Sequence, residues 1–302
     1  MFALNISEKY IRAIELVKEK GAIFIRAMGE KEYEGKQSLP GQIKDLLKNT
    51  KPHPIQSSQV AIAIPEEETF IKVIRFPKKE GVSLEKQIQE ELGKILPYSP
   101  NEVYWDWRLA EEDYRNKSFC DAVIVAATKK IIDSYIDLLT QAGLEPILIE
   151  TEANALIWGS LNPFNEKKTI TPTLIVDFES EKTTIVIFAN GAIRFTTSSK
   201  GYSSDQKHFL SERDLKEISN KLRECINYYN DQFSSQERAA NSIKEVIVRG
   251  EWATFQEMTS FLEKELALPI KGPANLIPIK PSYAATLGLA FRGLSQKDHA
   301  YL

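Results

Sequence analysis

The chain has 302 residues, 42% hydrophobic and 27% charged, with a formal net charge of −3. That length accommodates two lobes with separate cores or one large domain, and Lys and Arg are spread along the whole chain, which argues against a nucleic-acid binder with its concentrated basic face. Cys120 and Cys225 each fall in an apolar-periodic segment and read as buried free thiols; they offer no disulfide framework, which favours a reducing, cytoplasmic compartment. His53, His208 and His299 stand at no metal-ligand spacing, so no metal site is expected.

The N-terminus, MFALNISEKYIRAIEL, carries charge from Glu8 onward and has no apolar h-region, so no signal peptide is expected. A short strand, Ala3 to Ile6, is followed by a polar turn, Ser7 to Lys9, a second strand, Ile11 to Val17, and a glycine turn. A third strand then opens Gly21-Ala22-Ile23. Leu84, Ile88, Leu92 and Ile95 share one face of a helix that starts after Ser83. In the strand Val103 to Arg108, a period of two puts Val103, Trp105 and Trp107 on one sheet face, where paired tryptophans read as core before ligand platform. Thr128 is the expected cap of a further helix with Ile132, Tyr135, Ile136 and Leu139 on its apolar face, and Gly143 stands at its C-terminus. The longest apolar runs, such as Ala122 to Ala127, are strand-sized and too short for a membrane span, so membrane association is expected only through a partner.

A second strand unit follows. Leu174 to Phe178 leads through Glu179 to Lys182 into Thr184 to Phe188, and then to Asn190-Gly191, a type I′ hairpin signal, with the next strand opening Gly191-Ala192-Ile193. Leu215, Ile218, Leu222, Cys225, Ile226 and Tyr229 form a long helical stripe beyond it. The same β-turn-β-hairpin unit thus opens each half of the chain. The division this predicts is a first lobe over 1–170, with a compact α/β unit inserted at about 68–143, and a second lobe over 171–302 with a helical part at about 200–240.

A duplicated three-strand unit opening each lobe resembles the actin, hexokinase and Hsp70 superfamily, and five further stretches narrow the resemblance. They are Ala3 to Leu16, Val60 to Pro65 with Phe76-Pro77, Glu90 to Asp106 (EELGKILPYSPNEVYWD), Ala142 to Pro146 with Glu150, Glu152 and Ala153, and Pro281 to Gly293 (PSYAATLGLAFRG). In this order they are similar to the PilM family of type IV pilus assembly proteins. The resemblance implies an α/β, two-lobed actin-like fold, with ribonuclease H-like duplicated lobes and a small subdomain inserted in lobe one.

The family's nucleotide loops map onto Asn5 and Ser7, onto Asp177 and Glu179, and onto Gly250 in the run Val246 to Trp252. The family's Asp-x-Gly pattern is eroded at the first two, and of the glycine run expected at the third only Gly250 remains. Glu8, Glu179 and Glu181 bring negative charge where a triphosphate would sit, and two unit charges about 4 Å apart repel by about 4 kcal/mol at an effective dielectric near 20. Lys182 offsets part of this, leaving room for weak binding of ATP with Mg²⁺. Asp177 reads either as a catalytic remnant or as the hydrophilic end of a buried strand. Trp252 reads either as a filler of the adenine slot or as the start of a helix with Phe255, Met258 and Leu262.

The resemblance therefore implies a pseudo-ATPase scaffold without catalytic residues or a required cofactor. It would sit in the cytoplasm at the inner membrane, bound to the cytoplasmic N-terminal tail of a PilN-like membrane protein, with a homodimer or filament as a further possibility and no nucleic-acid partner. The candidate peptide wall is Ile88, Leu92, Leu96, Pro97 and Tyr98, of which the last three read equally as packing of the subdomain junction. The alternative of another class is an active actin-superfamily ATPase or small-molecule kinase; a narrower one keeps the class and changes the system, to an FtsA- or GspL-like scaffold of another membrane machine. The tail LSQKDHAYL is too short and polar for an FtsA-like membrane-binding helix.

Overall fold

The computed structural model describes residues 1–33, 38–79, 81–110, 118–161, 171–202, 210–251, 256–272 and 279–295. The first half builds a six-stranded sheet from β1 (Phe2–Ile6), β2 (Tyr10–Glu19), β3 (Ala22–Glu32), β4 (Lys51–Pro52), β5 (Gln59–Ile64) and β9 (Glu145–Thr151), in the order β4-β3-β2-β1-β5-β9. Helix α1 (Leu39–Asn49) lies between β3 and β4 in the chain. Between β5 and β9 the chain makes a separate three-stranded sheet, β6 (Phe70–Pro77), β8 (Phe119–Thr128) and β7 (Val103–Leu109), with α2 (Leu84–Ile95) between β6 and β7 and α3 (Lys129–Gln141) after β8. Helix α4 (Glu152–Ser160) ends the half. The second half builds a five-stranded sheet, β12-β11-β10-β13-β14, from β10 (Thr173–Phe178), β11 (Lys182–Ala189), β12 (Ala192–Lys200), β13 (Glu245–Gly250) and β14 (Ile270–Lys271). Helices α5 (Glu212–Asn230), α6 (Ser235–Asn241), α7 (Gln256–Leu266) and α8 (Ala284–Ser295) complete it.

The repeat read from the sequence is a repeat of hydrogen-bonding register. Ile6 pairs with Ile11 and Phe178 pairs with Thr183, so a shift of 172 carries one meander onto the other. Each second strand then meets its third at a bulge, at Glu15/Leu16 and at Ile187/Phe188. Each hairpin turns on two left-handed residues, Lys20 and Gly21 in the first sheet and Asn190 and Gly191 in the second. Positive φ at both positions is what a type I′ turn requires, and it matches the twist of the flanking strands. The two units lie in different sheets, as a two-lobed molecule requires.

Helices α4 and α8 fill the space between the two main sheets. The core there draws on Ala3, Ile14 and Ala61 of one sheet and on Ile175, Val186 and Ile247 of the other. Helix α4 packs against strands of both sheets, while α8, at the end of the second half, packs on β1, β2 and β5 of the first. Residues Ala284 to Gly293 of α8 are buried on every side, which explains why it shows little amphipathic pattern. The helices touch through glycine: a Cβ on Gly159 would stand 1.9 Å from the Ala284 carbonyl oxygen, and one on Gly288 would stand 1.8 Å from that of Ala155.

In the inserted sheet, Ile88 and Leu92 of α2 pack with Phe76, Val103, Ile124 and Ala126. Ser83 caps α2 by accepting from the Lys86 backbone N–H. Thr128 stands at the N-cap of α3 as expected, but its side chain makes no capping bond. Gly143 (φ +75°) closes α3, with the Leu144 N–H reaching back to the Leu139 carbonyl at 2.9 Å. Helix α3 buries Ile132 and Leu139 in the core of the six-stranded sheet, so the inserted sheet with α2 spans 70–128. Cys225 is buried as expected, whereas Cys120 is only half-buried. Among the described residues, no helix is long and apolar enough to cross a membrane.

Candidate functional site

One cleft lies between the main sheets and another beside the inserted sheet. At the first, the loops singled out from the sequence do come together. Asn5 stands one residue before the end of β1, the position that Asp177 holds in β10, and both are buried. Ser7 and Glu179 open the same four-residue turn, their N–H groups donating to the carbonyls of Tyr10 and Lys182 at 2.9 Å each. Both turn amides are thus committed within their own loops. Gly250 has φ +87°, and a Cβ there would lie 2.2 Å from the Phe178 carbonyl oxygen, which instead accepts from the Glu251 N–H at 2.8 Å. The surviving glycine is explained by this strand contact alone.

What sequence reasoning missed at this cleft is Arg12. It sits on β2 with 1% exposure and lies where the three loops converge. Its Nε donates to Glu30 at 2.6 Å, Nη1 donates to Glu179, and Nη2 donates to Glu251 at 3.4 Å. Burial disfavours the guanidinium charge, but Glu179 and Glu30 outweigh it and hold the proton more firmly than usual. Lys182 of β11 crosses the cleft in the other direction, donating to Glu152 at 2.8 Å and to Glu67 at 3.2 Å. Burial opposes its charge too, and Glu152 restores it. Glu152 also accepts from the Glu66 N–H at 2.9 Å.

The expected acidic field, partly offset by Lys182, is relieved differently: Arg12 answers the Glu179 charge. Glu179 is paired with Arg12, Glu8 is exposed, and Lys182 neutralises acids beyond its own loop. The cleft is still rich in carboxylates. Burial raises the pKa of Asp177 well above the usual range, and neighbouring Glu179 and Glu152 push the same way. Burial likewise raises Glu179 and Glu152 despite their cationic partners. One oxygen of Asp177 finds no hydrogen-bond partner among the described residues. Arg249, beside it on β13, is brought down to about 10 by burial, with Asp177 opposing. Trp252 and Phe255 lie outside the described residues. Among the described residues no group of three or more His, Cys, Asp or Glu side chains is arranged to hold a metal ion.

The second cleft is a cavity of about 760 Å³ between the inserted sheet, α3 and β9. Val125, Ile132, Ile136, Ile149 and Trp107 supply apolar wall, and Ile193 reaches in from the second lobe. Consecutive residues 104–108 of β7 and 147–151 of β9 line it. Since neighbouring strand residues point to opposite faces, unbroken runs mean that strand edges front the cavity, and β7 and β9 each end their sheets. Asp106 lies at this wall, its carboxylate accepting from the Trp107 N–H at 2.6 Å and raised in pKa by burial. Lobe two is bolted to the inserted sheet here. Arg194 donates to Asp121 at 3.0 Å and Arg108 donates to the Gly191 carbonyl at 2.9 Å.

The helix face expected to form a peptide wall is elsewhere. Ile88, Leu92 and Leu96 are 0%, 5% and 7% exposed and belong to the core beneath the inserted sheet, so they have no surface to offer. Pro97 and Tyr98 are exposed at the end of α2, outside this cavity's lining. The helical period identified an apolar face correctly. It did not say that the face packs against its own sheet.

Two sheets related by a repeat, two helices crossing between them and a cleft bounded by paired turns define an actin-like protein. Residues 3–206 match the family model of the type IV pilus assembly protein PilM, and the chain belongs to that family. Among solved structures, it is similar to a PilM-PilN type IV pilus biogenesis complex, at 17% identity and a TM-score of 0.77, covering 97% of this chain and 98% of that one. It is also similar to MreB 5 of Spiroplasma citri bound to AMPPNP, at 11% identity and a TM-score of 0.53, covering 98% and 96%. At these identities both likenesses speak to the fold. No curated protein sequence matches the chain.

Proposed function

We propose that this chain is a non-catalytic scaffold of type IV pilus assembly that binds the cytoplasmic N-terminal tail of a PilN-like inner-membrane protein. The tail lies extended in the cavity between the inserted sheet, α3 and β9. Its binding keeps the chain on the cytoplasmic side of the inner membrane, and ATP binding is weak or lost.

One observation carries this reading: an apolar cavity fronted by two strand edges, in a member of the PilM family. An extended peptide can pair its backbone with an unpaired edge and place alternate side chains against an apolar wall. The test is titration of a fluorescent peptide, taken from the cytoplasmic tail of the membrane protein encoded next to this chain, against the full chain. Micromolar affinity is expected, about −8 kcal/mol or somewhat weaker, because an extended segment loses freedom on docking. No binding, or binding that maps to the five-stranded sheet, would remove the groove from the account.

A further inference from the structure

We infer that a reciprocal ion-pair clasp, with Arg12 reaching from lobe one and Lys182 from lobe two, takes the place of a nucleotide in the interlobe cleft and holds the lobes together without any ligand. The inference rests on the cleft alone and stands or falls independently of what occupies the groove.

The two cations hold related positions. Arg12 is on β2 and Lys182 is on β11, the strand that the repeat sets in the same place in the other lobe. Each side chain leaves its own sheet for acids of the opposite half. Arg12 reaches Glu179 and Glu251, and Lys182 reaches Glu67 and Glu152. Glu30 steadies Arg12 from its own lobe, and the Arg12 guanidinium lies 5.0 Å from the centre of the Tyr10 ring. Both cationic side chains are largely withdrawn from water, 1% exposed for Arg12 and 12% for Lys182. At that burial an ion pair is weakly screened by salt, and losing one partner strands the other.

A bridging nucleotide joins two lobes by giving each a share of its phosphates and metal. Here the charges that join the lobes are side chains of the protein itself, paired across the cleft. The guanidinium stands at the convergence of both phosphate-type turns and the Gly250 loop, and the turn amides of Ser7 and Glu179 are spent on carbonyls. Polyphosphate entering this space meets Glu179, Glu251, Glu152 and Asp177 against two cations that already have carboxylate partners. It would have to displace carboxylates from Arg12 to gain a donor, exchanging one anion for another.

Hydrogen exchange by mass spectrometry on the full chain tests the clasp directly. Wild type is expected to exchange identically with and without millimolar Mg-AMPPNP at the turns 6–10 and 178–182 and at 64–69. Arg12→Met and Lys182→Gln are each expected to speed exchange at 178–182 and 64–69 by about tenfold or more, as local opening becomes easier. Protection of these turns by Mg-AMPPNP in wild type would overturn the inference. So would wild-type exchange in both variants. If Arg12→Met does not fold, Lys182→Gln carries the reading, because its side chain reaches the cleft surface; wild-type exchange in that variant then overturns the clasp.

Discussion

The two clefts of this molecule are finished with opposite chemistry. Between the lobes, five glutamates surround Arg12 and Lys182, and nearly every donor is spent on an acid of the same chain. Beside the inserted sheet, the walls are mostly aliphatic and aromatic, with Asp106 among them, and the edge strands β7 and β9 front the cavity. A phosphate ligand needs free donors, and a peptide needs an apolar wall with unpaired backbone. The comparison teaches that a cleft's position in a fold does not say which cleft is used. What its own side chains have already satisfied decides that.

The largest effect tests what the clefts share. Both rest on the α4–α8 crossing, where Gly288 meets the Ala155 carbonyl. Gly288→Val is expected to cost about 3 kcal/mol or more by forcing the helices apart, lowering the melting temperature by about 6 °C or more. A near-native melt would show that the two lobes do not depend on this floor.

The next effect sharpens the groove. Ile149→Asp puts a charge on its wall and is expected to weaken tail-peptide binding by about tenfold or more, since a buried aliphatic side chain contributes about 1.5–3 kcal/mol. Tyr98→Asp is expected to leave affinity unchanged, because Tyr98 lies outside the lining. The reverse pattern would move the peptide to the α2 side of the inserted sheet.

A third outcome concerns charge in the interlobe cleft and depends on pH. Burial raises the Asp177 pKa in the folded state, so folding binds its proton more tightly than the unfolded chain does. The stability this group contributes is full below the unfolded value near 4 and is lost as pH rises through the higher folded value. Asp177→Asn removes the penalty. The variant is expected to be more stable than wild type at pH 8 by about 1.4 kcal/mol for each unit of rise below that pH, with the gap closing toward pH 4. Thermal melts across pH check this, and a variant less stable than wild type at pH 8 would mean that the ionised carboxylate is wanted there.

The smallest expected effect is none. A ligand at a hundred times its dissociation constant contributes about 2.7 kcal/mol, so millimolar Mg-ATP at a working site would raise the melting temperature by several degrees. No shift is expected for this chain. A clear shift abolished by Asp177→Ala would reverse the contrast between the clefts.

Much of this was legible in the sequence because it is local. The three-strand units follow from alternation and from Asn190-Gly191, whose left-handed turn only a few residue types adopt at low cost. The stripes of α2, α3 and α5 follow from the helical period; the repeat puts Asn5, Ser7, Asp177 and Glu179 at matching registers, and Gly250 joins them by pairing with Phe178 on the neighbouring strand. Arg12 was not legible. Within β2 it is a polar residue between Ile11 and Ala13, and its partners Glu179 and Glu251 lie 167 and 239 residues away. Nothing near it in the chain marks it as buried.

By itself, then, the sequence determined which strands and helices form, which face of each is apolar, and that one unit is used twice, since these depend on periodicity and on the backbone freedom of a few turn residues. Tertiary structure decided which apolar faces meet. It sent α8 back onto the first sheet, set Gly159 and Gly288 against backbone carbonyls, turned Ile88 and Leu92 into the core of the inserted sheet, and brought Arg12 to acids of the far lobe. A local pattern specifies that a surface must be covered and a charge answered. The partner is selected only when the whole chain packs, because many distant segments offer equivalent apolar area and equivalent carboxylates, and close packing admits one arrangement of them.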